Sequence, residues 1–188
     1  MSNIVIVVLA YLIDKKFGEF SFIKDPMIMI NDLVNFVEKK VYKDSVSAGI
    51  LFVVTVLGIM GLLSITLTLY LSYFNVYIYI IVSSFIASVF ISQNALQECT
   101  YKEKDSQSFQ NYTKSLQENL VAPLFYLFLF GVAGIILYKT TLIINNKNEN
   151  SRCKNFSLAT LQLYKFINYI PEKATYFLVS QKYMKTNF

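Results

Sequence analysis

Apolar residues in this chain come in blocks rather than in alternation. Between Ser45 and Gln97 there is no Asp, Glu, Lys or Arg, a stretch of 53 residues, whereas one bilayer crossing takes about 20. That length predicts two crossings, at about 48–71 and 76–91, joined by a turn over Ser72–Asn75. A further block, 120–138, predicts a third crossing, interrupted near its start by Pro123 and in its middle by Gly131 and Gly134. Membrane helices tolerate such breaks where a neighbouring group takes up the freed backbone. The first block, residues 4–13 (IVIVVLAYLI), is too short to cross alone and reads as a partly inserted or protein-packed helix ending at Asp14-Lys15-Lys16.

The polar stretches between these blocks have their own periodicity. Loop 14–44 contains PMIMINDLVNFVEKKVY, where Ile30, Leu33, Val34, Val37 and Val41 recur at three- and four-residue steps. That spacing predicts an amphipathic helix opened by Pro26 and lying along the membrane interface. Loop 92–118, helical in its second half, and the Asn-rich loop 139–157 follow, and 158–180 forms a C-terminal amphipathic segment that is helical up to Pro171. Gly58 and Gly61, then Ser84 and Ser88, have the spacing that lets membrane helices approach closely. The predicted fold is an all-α, polytopic integral membrane protein, a single membrane domain over residues 1–188.

Composition agrees and narrows the chemistry. Mean hydropathy is +0.46, with 55% hydrophobic and 15% charged residues among 188, too apolar for an ordinary soluble domain. No basic residue precedes the first apolar block and no small-residue cleavage site follows it, so that block is expected to stay in the mature chain. The chain has no histidine, which removes Ser/His/Asp and Cys/His triads and His-ligated zinc. Cys99 and Cys153 stand alone, without metal-ligand spacing, and read as reduced and structurally idle. The net charge of +5 belongs to lysines flanking the apolar blocks and points to anionic lipid or phosphate, not to nucleic acid. With three crossings, nine Lys on one face oppose eight Lys and Arg on the other, so charge does not fix the orientation. A re-entrant third block would gather them on one side.

Three motif pieces occur in order. The first is IDKKFGE…KDPMIMINDLVNFVEKKVY, with Asp14, Gly18, Glu19, Pro26, Glu38 and Tyr42. The second is QENLVAPLFY, with Glu118-Asn119 and Ala122-Pro123-Leu124-Phe125-Tyr126. The third is YKTT with the later KNEN, then Asn168-Tyr169-Ile170-Pro171. Together they resemble the CobD/CbiB cobalamin biosynthesis proteins, the adenosylcobinamide-phosphate synthases, over most of the chain outside the second crossing. The resemblance has gaps. Asp25 stands where the family has histidine, Leu142-Ile143-Ile144-Asn145 replaces an Asp-containing string, and Tyr164 and Lys165 stand at paired aspartates.

The resemblance implies amide formation between a corrinoid propionate (adenosylcobyric acid) and aminopropanol or its phosphate, with ATP and Mg²⁺ as cofactors. It also implies a bacterial inner-membrane location and association with other enzymes of vitamin B12 synthesis. By the same resemblance Glu118 and Asn119 are the catalytic candidates, and Lys139, Lys147, Asn148, Glu149, Asn168 and Tyr169 the substrate-binding ones. Glu118 and Asp14 are the metal candidates. A carboxylate partly withdrawn from water at a membrane boundary suits proton transfer.

Each candidate also has a plainer reading. Glu118 serves equally as a helix-start residue favoured by the dipole and Asn119 as a cap. Lys139 reads as a snorkelling lysine closing a membrane helix, 147–149 as a solvated loop, and Pro171 as a helix end. Two other functions stay open: a catalytically degenerate member that binds corrinoid or scaffolds a complex, and an unrelated small transport or pore protein. Against the pore, the predicted crossings carry no charged residue to line a water path.

Overall fold

A computed structural model describes residues 2–17, 26–91, 106–149 and 154–186. Cys99, Cys153, Gly18, Glu19, Asp25 and the charged run Glu98–Asp105 lie outside the described residues. The described chain is helical apart from two short connections, 42–45 and 73–75, and the extended Ile91 after α4. In order, the helices are α1 (Ser2–Phe17), α2 (Pro26–Val41), α3 (Val46–Ser72), α4 (Val76–Phe90), α5 (Ser106–Leu116), a π-helical turn (Gln117–Val121), α6 (Ala122–Glu149) and α7 (Lys154–Thr186).

Local chemistry sets the sharpest boundaries. The Ser45 side chain accepts from the Ala48 amide at 3.2 Å and caps α3, and Asn75 Oδ1 accepts from Tyr77 N at 3.1 Å and caps α4. At 27 residues, α3 is about 40 Å long and sufficient to cross a bilayer. Helix α4 has only 15 residues, about 22 Å, short of the roughly 20 residues a crossing needs. The predicted second crossing is therefore a shorter apolar helix, packed by its buried Ser83, Ser84, Ala87 and Ser88. It packs chiefly on α1, whose Ile6 and Ala10 are fully buried. The first block is thus a protein-packed helix, and Asp14, Lys15 and Lys16 lie inside its last turn.

The predicted third crossing folds back on itself. Two stretches of the chain are long and apolar enough to cross, Val46–Ser72 and the continuous helical run Gln110–Asn148, but the second breaks at Gly131. There φ is 66° and ψ −152°, a backbone state essentially reserved for glycine. A straight helix would hold Asn119 and Lys139, twenty residues apart, about 30 Å from each other. Instead Lys139 Nζ donates to Asn119 Oδ1 at 3.3 Å. The Tyr126 and Tyr138 rings likewise stack with centroids 5.3 Å apart. A Cβ on Gly134 would sit 2.3 Å from the Tyr126 carbonyl oxygen, so glycine is what lets the arms approach at the tip. Residues 106–149 form a helical hairpin whose tip exposes Phe128, Leu129 and Phe130 and is tied to α1 by Asn3 Nδ2, which donates to Phe128 O at 3.3 Å.

Other boundaries shift for identifiable reasons. The expected polar loop 139–157 is helical to Glu149 and again from Lys154, because Thr140, Thr141, Asn145 and Asn148 are buried against neighbouring helices. Helix α7 runs through Pro171 instead of ending there. Pro171 has no amide for the carbonyl of Ile167, and Tyr126 OH donates to that carbonyl at 2.7 Å in its place. The expected close approach at Gly58 is absent, since nothing lies within 4 Å of a Cβ there. It occurs at Gly49, whose Cβ would meet Phe156 O at 2.3 Å. Around that contact Phe52 and Tyr42 each pack on Phe156 at 5.3 Å between centroids.

Candidate functional site

QENLVAPLF contains the point where the hairpin's first arm changes register. The Ala122 amide donates to Gln117 O, five residues back, and the next donor in that register, for Glu118 O, would come from residue 123. That residue is proline and has no amide. The freed carbonyl is taken by the returning arm, where Lys139 Nζ donates to Glu118 O at 3.2 Å as well as to Asn119 Oδ1. Lys139 is 2% exposed, so it does not snorkel out to the surface. Single π turns are frequent at functional sites, and here the turn positions both catalytic candidates against one buried ammonium.

The third motif piece closes the site from α7. Tyr164 OH donates to Glu118 Oε1 at 2.5 Å, and Lys114 Nζ lies 4.0 Å from the same oxygen. Asn168 Oδ1 accepts from Gln117 Nε2 at 2.9 Å and from Tyr138 OH at 3.2 Å, while Asn168 Nδ2 donates to Tyr164 O at 3.1 Å. Asn119 Nδ2 donates to Ser115 Oγ at 3.3 Å. Beside this network, between α5 and α7, opens a cleft of about 270 Å³ whose walls include Lys114, Gln117, Tyr164, Lys165, Asn168 and Glu172. That volume is slightly below the usual range for small-molecule pockets.

Depth follows from the packing of α3 on α6. A Cβ on Gly61 would lie 3.8 Å from Leu137, and Lys147, near the end of α6, binds Glu38 and Asn35 on α2 just before α3 begins. The returning arm thus runs antiparallel to α3, and Lys139 lies roughly 20 Å along α3 from Ser45 by helix rise. Glu118 and Asn119 accordingly sit well inside the hairpin's length, not at the edge of a crossing.

The remaining candidates lie apart from this cluster. Lys147 is engaged by α2 as above. Asn148 is buried and donates from Nδ2 to Thr160 Oγ1 at 3.3 Å. The side chain of Glu149 lies outside the described residues. Tyr169 faces outward, where Lys173 donates to its hydroxyl at 2.7 Å. Asp14 is buried in the last turn of α1. Among the described residues no three His, Cys, Asp or Glu side chains gather to hold a metal. Glu118 is a single carboxylate with Lys114 and Lys139 close by, a donor set that does not fit a protein-held magnesium ion, which takes carboxylate and water oxygens. Gln117 and Tyr138, inside the quoted motif strings, and Tyr164, noted as a departure from the resembled family, were not among the candidate site residues. For Tyr164 and Gln117 the signal was available, since one stands where the resembled family has an acid and the other adjoins Glu118.

No family model matches this chain, and no solved structure matches it. Among curated proteins, 76 residues are 32% identical to the "Probable cobalamin biosynthesis protein CobD" of Thermococcus kodakarensis, over 39% of this chain. The likeness is local. The matched segment spans only 26% of that relative's length.

Proposed function

We propose that this chain acts in cobalamin biosynthesis at the membrane, joining a corrinoid propionate to aminopropanol or its phosphate through an amide bond. The observation that carries this reading is convergence. QENLVAPLFY, Tyr138-Lys139 and Asn168, far apart in sequence and singled out by their resemblance to one family, meet in one network of direct hydrogen bonds. The partial likeness to a cobalamin biosynthesis protein supports the pathway, the two long apolar stretches support a membrane location, and a multi-pass, inner-membrane placement rests on the family resemblance. Association with other vitamin B12 enzymes and the use of ATP rest on the family resemblance alone.

The chemistry is assigned to this chain's own groups. An ammonium substrate must lose a proton before its nitrogen can attack an activated carboxyl. Glu118, with one oxygen engaged by Tyr164, has the other available to accept that proton. Asn119 and Lys139, bonded to each other, are assigned to orient the carboxyl, the buried ammonium favouring developing negative charge on its oxygen. The cleft is too small to enclose a corrinoid, and its walls include Gln117, Tyr164 and Asn168 but not Glu118, Asn119 or Lys139, so a propionate arm and the small amine would reach Glu118 only if that wall opened.

A second reading has its own support. Tyr164 bonds to Glu118 where the resembled family carries an acid, which suits a member that binds corrinoid without catalysis. Complementation separates the two. A bacterium deleted for its own adenosylcobinamide-phosphate synthase, given cobyric acid and expressing this chain, should grow on vitamin B12-dependent medium, and Glu118→Gln should abolish growth with membrane insertion intact. Absence of growth from the inserted wild-type chain, or growth indifferent to Glu118→Gln, would overturn the enzymatic reading. Corrinoid retention in detergent without growth would favour the second.

A further inference from the structure

We propose that the open end of the hairpin, with the outer face of α2 as its contact surface, binds the anionic phospholipid headgroups of the cytoplasmic leaflet. The fold-back at Gly131 is what makes this visible. Asn3 is tied to the hairpin tip, so the 16-residue α1 carries Lys15 and Lys16 about 20 Å away from it along the helix. Lys147 is held there by α2, and Lys39, Lys40 and Lys43 lie at the end of that same helix, just before α3. The turn at the opposite end of α3, Tyr73–Asn75, has no charged residue. The sequence alone balanced nine cations against eight. The hairpin, by entering and leaving on one side, removes the crossing on which that balance depended. Helix α7 leaves the open end at Phe156 and reaches Asn168 beside Tyr138, so Lys165 and Lys173 lie away from that end. The leaflet is assigned from the two flanks of α3, with Lys39, Lys40 and Lys43 before it and no cation in the turn after it.

Helix α2 is shaped for this surface. Ile30, Val34 and Val37 are buried in the protein core, which leaves Met29 and Phe36 exposed at 65% and 59%. Lys39, Lys40 and Lys43 are exposed beside them, and Lys40 Nζ lies 4.4 Å over the Phe36 ring. An interfacial helix with an apolar residue to insert and several lysines to meet phosphate is attracted to anionic lipid, by about fivefold in affinity per lysine at the surface. The favoured occupant is therefore an anionic phospholipid layer, on charge complementarity together with the outward Phe36.

The test uses the full chain carrying Cys99→Ser and Cys153→Ser. In intact cells a membrane-impermeant maleimide should label Tyr73→Cys directly and Asp44→Cys only after permeabilisation. Reconstituted into phosphatidylcholine with phosphatidylglycerol and re-extracted, the protein should retain phosphatidylglycerol preferentially in native mass spectrometry. The triple variant Lys39→Gln, Lys40→Gln, Lys43→Gln should lose most of that preference, on the order of a hundredfold at low salt, and high salt should reduce it in the unaltered chain. Labelling of Asp44→Cys from outside, or equal retention by the triple variant and the unaltered chain, overturns the proposal.

Discussion

Removing one oxygen atom tests whether Tyr126 bonds Ile167 because Pro171 made that bond necessary. In Tyr126→Phe the Ile167 carbonyl, inside a helix and facing another, loses a 2.7 Å donor and has no backbone amide to turn to. Leaving a buried acceptor unmet costs about 1–3 kcal/mol, and measured interhelical bonds in membrane proteins fall toward the lower part of that range, so about 1–2 kcal/mol is expected. At this chain length that lowers the melting temperature by about 2–4 °C per kcal/mol, readable by circular dichroism in a fixed detergent. Pro171→Ala restores an amide at the position that should bond Ile167. In that background Tyr126→Phe should therefore cost less than about 0.5 kcal/mol, and the two changes should couple by about 1 kcal/mol. Equal cost in both backgrounds would show that the hydroxyl is not substituting for the missing amide.

Three further outcomes follow from the packing. Gly131→Ala forces a side chain into a positive-φ state and should cost about 1–3 kcal/mol, measured by the same melting experiment; an unchanged melting point would mean that the hairpin does not turn there. Gly134→Ala drives a Cβ to within 2.3 Å of a backbone oxygen and should cost about 3 kcal/mol or more, whereas Gly58→Ala meets nothing and should stabilise by about 0.5–1 kcal/mol through helix propensity; the opposite ranking would invert the assigned packing. Glu38→Gln leaves the partly buried Lys147 without its carboxylate and should cost about 1–2 kcal/mol, with the swap Glu38→Lys, Lys147→Glu recovering part of it; a swap no better than the single change would mean that the ion pair is incidental.

Much of the helical inventory could be read in the sequence, because apolar periodicity and turn chemistry are local properties. Ser45 and Asn75 cap where the turns were expected, and α2 buries Ile30, Val34 and Val37 from the predicted stripe. The fold-back was legible only as an alternative, a re-entrant third block broken at Gly131 and Gly134, since hydropathy counts apolar residues without regard to direction. The positive φ at Gly131 and the contacts of Lys139 with Asn119 and of Tyr138 with Tyr126 show that 120–138 returns on itself. For the same reason Glu118 and Asn119 read as the edge of a crossing. Their proximity to Lys139, twenty-one and twenty residues on, depends on that turn. Pro171 misled because a proline in an isolated helix is a stop, and only the distant Tyr126 supplies the missing donor.

The paired prolines also impose an order of events on the nascent chain. When the segment through Lys139 has emerged, the hairpin can close on itself, because Lys139 already satisfies the carbonyl released by Pro123. Its second clasp does not yet exist, since the carbonyl that Tyr126 binds lies on α7, which follows in the chain. Until α7 docks, the Tyr126 and Tyr138 hydroxyls and the Gln117 amide lack the partners that Ile167 and Asn168 supply. The central segment thus takes its turn from its own residues and its second clasp from a helix that is not part of it.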